Sequence, residues 1–248
     1  MSAAAGQERR AYYLEALGID LWVPRATPPA ARAALPAPAT SPAPAPVPTA
    51  APPLASTQPL TEDWASLAAR VSGCTLCGLH ALRTQTVFGV GDRQAKLLVV
   101  GEAPGADEDR QGEPFVGRAG QLLNAMLRAM GSPRERVFIA NVLKCRPPGN
   151  RDPAPGEVAC CLPYLHRQVE LLQPKLMLAV GRIAAQNLLA TDTPIGQLRG
   201  KLHHFGPHAI PLVVTYHPAY LLRSPGEKRK AWADLSYARR ELRRSAAP

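Results

Sequence analysis

The chain has 248 residues, 46% hydrophobic and 19% charged, enough for one substantial packed domain and an appendage. Its net charge of +10 suits a polyanionic partner, because each Lys or Arg set against a phosphate releases a condensed counterion. No stretch approaches the ~20 apolar residues of a membrane span, and Met1–Gln7 lacks the basic start and apolar run of a signal peptide, so a cytoplasmic protein is expected.

In chain order, Tyr12, Leu14, Leu17 and Leu21 recur at helical spacing, which predicts a short helix within residues 1–23 that docks on this domain or on a protein partner. Residues 24–60 are dominated by Ala, Pro, Thr and Ser, and hold 12 of the 27 prolines. Such a run lacks the apolar bulk that offsets backbone entropy, so a disordered, semi-rigid linker is expected there. The folded domain then covers residues 61–245. Four arginines and three acids precede it, so nearly all the excess positive charge falls on the domain.

Thr61-Glu62-Asp63 opens a helix that runs through Arg70. Strands are predicted at Lys96–Val100, Val137–Leu143, Lys175–Val180 and Ile210–Tyr216, and helices at Gly117–Met130, Pro155–Leu172, Arg182–Leu189 and Glu227–Arg244. Strands spaced by helices of this length imply βαβ units: a three-layer α/β/α fold around a central, mostly parallel sheet. Active sites in such folds gather on the loops at the carboxyl ends of the strands.

Those loops are polar and marked by Gly and Pro. Glu102, Ala103 and Phe115 follow the first strand, Asn141 lies at the end of the second, and His217 follows the last. A carboxylate, an amide, an imidazole and an aromatic ring on one edge of the sheet would make a pocket for a planar, hydrogen-bonding ligand.

The five cysteines are read as metal-binding in a reducing compartment. Cys74-Thr75-Leu76-Cys77 is a C-x2-C turn, Cys145 lies far downstream, and Cys160 and Cys161 are adjacent within a predicted helix. Two thiolates from a tight turn and two from distant segments can complete a four-thiolate site, and spacing alone leaves zinc and an iron–sulfur cluster both open. Neighbouring helical positions point about 100° apart, so only one of the adjacent pair is expected to aim at the site.

Three motifs then come in order: GEAPGADEDRQGEPFVGRAGQLL at 101–123, NVLKCRPPGNRDP at 141–153 and HPAYLLR at 217–223. With the cysteine spacing, they resemble the family-4 uracil-DNA glycosylases, bacterial and archaeal enzymes carrying a four-iron, four-sulfur cluster. The resemblance covers residues 62–245 or thereabouts. It implies a uracil-DNA glycosylase-like fold and a cluster held by Cys74, Cys77, Cys145 and Cys161, leaving Cys160 aside. The implied substrate is uracil in single- or double-stranded DNA, met by a monomer. It also implies a flipped-out deoxyuridine stacked on Phe115, its Watson–Crick edge read by Asn141. His217 would hydrogen-bond to uracil O2, and the backbone at Glu102 and Ala103 could share that role.

Glu102 is the candidate for positioning the attacking water or binding the base. Arg146, Arg151 and Arg223 are candidates for phosphate contacts, as are Lys228, Arg229 and Lys230. Leu221 or Leu222 is the candidate wedge that fills the vacated base stack. A better-known branch of the superfamily has Asp where this chain has Ala103 and Tyr where it has Gly105. The alternative to an enzyme is a non-catalytic or covalent uracil-DNA binding module. The covalent type carries an inserted Lys/Arg-rich loop ending in His, and Val142–Asn150 has no such insertion.

Overall fold

Four short runs, Leu97–Gly101 (β2), Phe138–Asn141 (β3), Leu176–Val180 (β4) and Ile210–Thr215 (β6), are apolar almost throughout, the pattern of strands covered on both faces. In the computed structural model, which describes residues 62–245, they pair in parallel in the order β3-β2-β4-β6. The predicted N-terminal helix and Pro/Ala-rich linker lie outside the described residues. Two short antiparallel strands complete the six-stranded sheet: Val90–Gly91 (β1) beside β3, and Leu202–Phe205 (β5) beside β6.

Side chains on a strand alternate between faces, and here each face builds its own core. Leu98, Val100, Ala140, Met177, Ala179 and Val214 point to one side. They pack under Trp64–Ser72 (α1), Pro155–Leu172 (α4) and Arg182–Leu189 (α5). Leu97, Val99, Ile139, Leu178 and Val213 point to the other. Their cover is Arg118–Ala129 (α3) and Lys228–Arg244 (α8). The expected three-layer α/β/α architecture is therefore observed. Among the described residues, no helix is long and apolar enough to cross a membrane.

The long elements fall where the sequence predicts them, with small shifts. Asp63 is the cap of α1 rather than part of it, its carboxylate accepting from Ser66 N at 2.8 Å. Three short helices are additional: Ala106–Gln111 (α2), Ile195–Leu198 (α6) and Pro218–Arg223 (α7). The last converts the HPAYLLR segment, read as a loop, into a helix with His217 at its N-cap and Pro218 in its first turn. This corrects one expectation. Leu221 faces inward and is 1% exposed within the α3/α8 core, so it cannot also enter a base stack; Leu222 is 37% exposed.

Because β2, β3, β4 and β6 run parallel, their carboxyl ends share one edge of the sheet. The chain leaves β2 for β3 on one side and later returns to β4 on the other, so strand order reverses beside β2, where a crevice opens in folds of this kind.

Candidate active site

At that edge lies a cavity of about 410 Å³, within the usual range of small-molecule pockets, roughly 300–1,000 Å³. Glu102, Ala103, Phe115, Asn141 and His217 all line it, with Arg151 and Arg223. A second cavity of about 350 Å³, between α4 and the β5–β6 turn, contains none of these residues.

Asn141 ends β3, opposite Gly101 at the end of β2. Its side chain is buried, and its Oδ1 has no hydrogen-bond partner. A buried amide oxygen left unpaired costs about 1–3 kcal/mol, so this atom is aimed at something other than protein. Gly101 makes room for it. A Cβ there would lie 2.4 Å from Asn141 Oδ1 and 2.7 Å from the Phe115 ring.

Phe115 has φ of +56°, a left-handed conformation that is strained for an aromatic residue. The loop is held from two sides. The Glu108 carboxylate accepts from Gly105 N at 3.1 Å, Val116 N at 3.0 Å and Gly117 N at 3.3 Å, tying the loop after β2 to the loop that carries Phe115. Gly120 lies so close beneath that a Cβ would collide with the Phe115 carbonyl. The Phe115 ring ends 5.7 Å from the His217 ring, the two tilted by 32°.

Two shifted pKa values belong to this cavity. Burial, the nearby charge of Arg223 and little else push His217 down to about 4, with Glu108 opposing weakly. The ring is neutral at pH 7. Its Nδ1 accepts from Ala219 N at 3.1 Å, so the proton resides on Nε2, which is left as a donor. Gly181, at φ +103°, begins α5 directly behind the imidazole; a Cβ there would come within 3.0 Å of the His217 Cβ. Glu102 is displaced the other way, up to about 7, by burial first and then by Asp152, with Arg182 opposing. Asp152 and Arg182 are themselves paired at 2.6 Å.

A separate cluster lies on the α1/α4 side. Cys74, Cys77, Cys145, Cys160 and Cys161 line one narrow cleft that no carboxylate enters. Arg83 donates to Cys145 Sγ at 3.1 Å, and Lys144 N donates to Cys161 Sγ at 3.2 Å. Burial raises the thiols of Cys77 and Cys145 and carries Cys161 up to about 12, with Arg83 opposing at Cys145 and Lys144 at Cys161. Cys160 is not turned fully away: its thiol reaches the carbonyl of Leu76 at 3.3 Å. Among the described residues, no three Cys, His, Asp or Glu side chains stand close enough together to hold a single metal ion. Soft sulfur donors of this kind suit iron–sulfur clusters and zinc alike.

Residues 88–236 match the uracil DNA glycosylase superfamily. This chain belongs to that superfamily, in its type-4 branch. It is 45% identical over 170 residues to a type-4 uracil-DNA glycosylase of Archaeoglobus fulgidus, covering 66% of this chain and 85% of the relative. Against the type-4 enzyme of Thermotoga maritima it is 44% identical over 161 residues, covering 64% and 82%. A type-5 uracil-DNA glycosylase of Thermus thermophilus is more distant, 33% identical over 149 residues, covering 53% and 68%.

Of the residues predicted to contact DNA in this glycosylase domain, Arg151 and Arg223 line the cavity. Arg151 grips Glu157 through both guanidinium nitrogens, at 2.9 and 2.5 Å. Arg146 donates to Asn150 Oδ1 at 2.8 Å. Arg223 is exposed, with no acidic partner among the described residues. Sequence reading missed Glu108, Gly181 and Lys144. A Glu three residues after a glycine cap, where its carboxylate can accept from the cap N–H, signals the first, whereas the other two act through approaches that only the folded chain creates.

Proposed function

We infer that the protein is a uracil-DNA glycosylase, a hydrolase that cleaves the N-glycosidic bond of deoxyuridine in DNA and leaves an abasic site. The observation that carries the reading is the unpaired, buried Asn141 Oδ1 beside an aromatic ring and a neutral histidine donor. In a flipped-out uracil, N3–H would pair with that oxygen and O4 would accept from the same amide. Cytosine presents the reverse pattern and leaves the amide unpaired, a penalty that supports large discrimination. Phe115 stacks on the ring and adds affinity without choice.

As the C1′–N1 bond breaks, its electron pair leaves with uracil. His217 Nε2–H donates to O2 where that negative charge grows, a preorganised electrostatic role. Water attacks C1′ and gives its proton to the Glu102 carboxylate, whose pKa near 7 is matched to the task. Arg146, Arg151 and Arg223 hold phosphates, and Leu222, exposed on α7, fills the vacated stack.

Cys74, Cys77, Cys145 and Cys161 hold a four-iron cluster. With the cluster held there, these four residues would tie the turn before β1, the segment after β3, and α4 together. Iron and acid-labile sulfide in equal amounts, with a brown visible absorbance, would be measured; zinc without sulfide excludes it.

The activity is tested on a labelled duplex with one U·G pair, treated with alkali to reveal abasic sites. Scission only after alkali is expected, lost in Asn141→Ala and absent from T·G and C·G duplexes. A protein that binds the duplex and releases no uracil is a binding module instead.

A further inference from the structure

Lys144 is 1% exposed and ranks among the largest side chains wholly inside the domain. A buried ammonium is costly, and an apolar side chain of similar length would fill the same space at less cost. Among the described residues, no carboxylate hydrogen-bonds to it. From the end of β3 it meets the carbonyl oxygen of Asn141 at 2.9 Å, and from α4 it meets Gln168 Oε1 at 2.7 Å. Gln168 is itself fully buried and is anchored through Nε2 to the Phe88 carbonyl at 2.9 Å. Cys161 of the cysteine site is the group that favours its charged form. The Lys144 backbone N–H donates to Cys161 Sγ, and the Lys144 carbonyl accepts from Val87 N at 2.8 Å.

One residue thus holds the cysteine site by its backbone and the uracil pocket by its side chain. The stretch it steadies carries Asn141 and pairs with the backbone of Glu102. Val142 N donates to the Gly101 carbonyl and Leu143 N to that of Glu102, so Asn141–Leu143 extends the β2–β3 pairing past the end of the sheet.

We propose that Lys144 is a positioning residue: its ammonium, balanced by the cluster-bound thiolates, clamps the Asn141 carbonyl, so the register of the uracil-reading amide depends on the loaded cysteine site. This rests on the glycosylase reading above. Coupling of this kind is reciprocal, so uracil bound at Asn141 also perturbs the cluster.

The test uses the iron-loaded protein, with free uracil as the probe. Uracil added to the wild type is expected to change the visible circular dichroism of the cluster. Lys144→Met is expected to retain iron and sulfide and to bind undamaged duplex as the wild type does. Its affinity for uracil should fall about tenfold, the scale of one hydrogen bond to a charged group, and the dichroism should no longer respond at saturating uracil. Lys144→Met with a full cluster and wild-type uracil affinity overturns the proposal.

If Lys144→Met fails to load iron, Gln168→Met serves instead, because it removes one acceptor of the ammonium and leaves the Cys161 contact. It should weaken uracil binding with full iron content, and unchanged affinity there overturns the proposal equally. A wild type that releases no uracil from DNA refutes the glycosylase reading, whereas a wild type that does, with indifferent variants, refutes only the role of Lys144.

Discussion

Glu102 and His217 sit within one cavity and are displaced in opposite directions, for the same reason: burial favours the neutral form, which is the acid for one and the base for the other. If Glu102 takes the proton of the attacking water, its working form is the carboxylate, and kcat/KM on uracil-DNA should rise with pH up to about 7 and level off above it. Glu102→Gln should lower the plateau and erase that limb. Asp152→Asn removes a repelling charge and should move the limb to lower pH; a limb that stays put in both variants assigns the titration elsewhere. The linkage to stability follows from the same values. The folded Glu102 holds its proton up to about 7, so its contribution is present below the ordinary carboxylate range and is lost as pH rises through 7. His217 runs the other way, because the unfolded chain takes up its proton first as pH falls from the ordinary histidine value toward 4. Residue types at strand ends were enough to find both groups, and Asn141 and Phe115 with them. Lys144 escaped because a lysine in a sequence reads as surface, and only the fold reveals the acceptors that surround it.

Among the elements, α2 shows how a short piece of structure can matter more than its length. Six residues from Ala106 to Gln111 supply Glu108 to the Phe115 loop and Asp109 to the segment near the cysteines, where both its oxygens accept from Thr84 N at 3.0 and 3.1 Å. Glu108→Ala would leave Gly105, Val116 and Gly117 N–H without their acceptor and free Phe115 from a conformation costing about 1–3 kcal/mol. The expected result is a loss of about 1–3 kcal/mol in urea unfolding, with a larger fall in kcat than in duplex affinity. Equal losses in both would indicate general unfolding of the loop. The long helices were legible because apolar periodicity over many residues is redundant, and the central strands because each is a nearly continuous apolar run. The edge strands β1 and β5 and the helices α2, α6 and α7 are two to six residues long, too short for any period to register. For α7 the signal was nevertheless present: a capping side chain followed by Pro in the first turn is a helix start.

At the scale of the molecule, the positive charge and the carboxyl edge of the sheet must serve one surface if this domain grips DNA. On α7, Leu221 is packed into the core beneath, whereas Leu222 and Arg223 are exposed, and Arg223 lines the cavity. Two kinds of contact are therefore separable by substitution. Arg223→Ala should weaken binding to uracil-containing and undamaged DNA alike and lessen the dependence of log Kd on log salt by about one phosphate's worth. Leu222→Ala touches no charge, so its salt dependence should match the wild type. In a duplex the wedge holds open a stack that would otherwise re-form, at a cost of a few kcal/mol. Single strands have little stack to hold open. Leu222→Ala should therefore lose activity on U·G and U·A duplexes and keep most of it on single-stranded uracil DNA. Equal loss on both substrates would mean that Leu222 packs the domain or the base pocket, and the wedge would have to be sought outside α7.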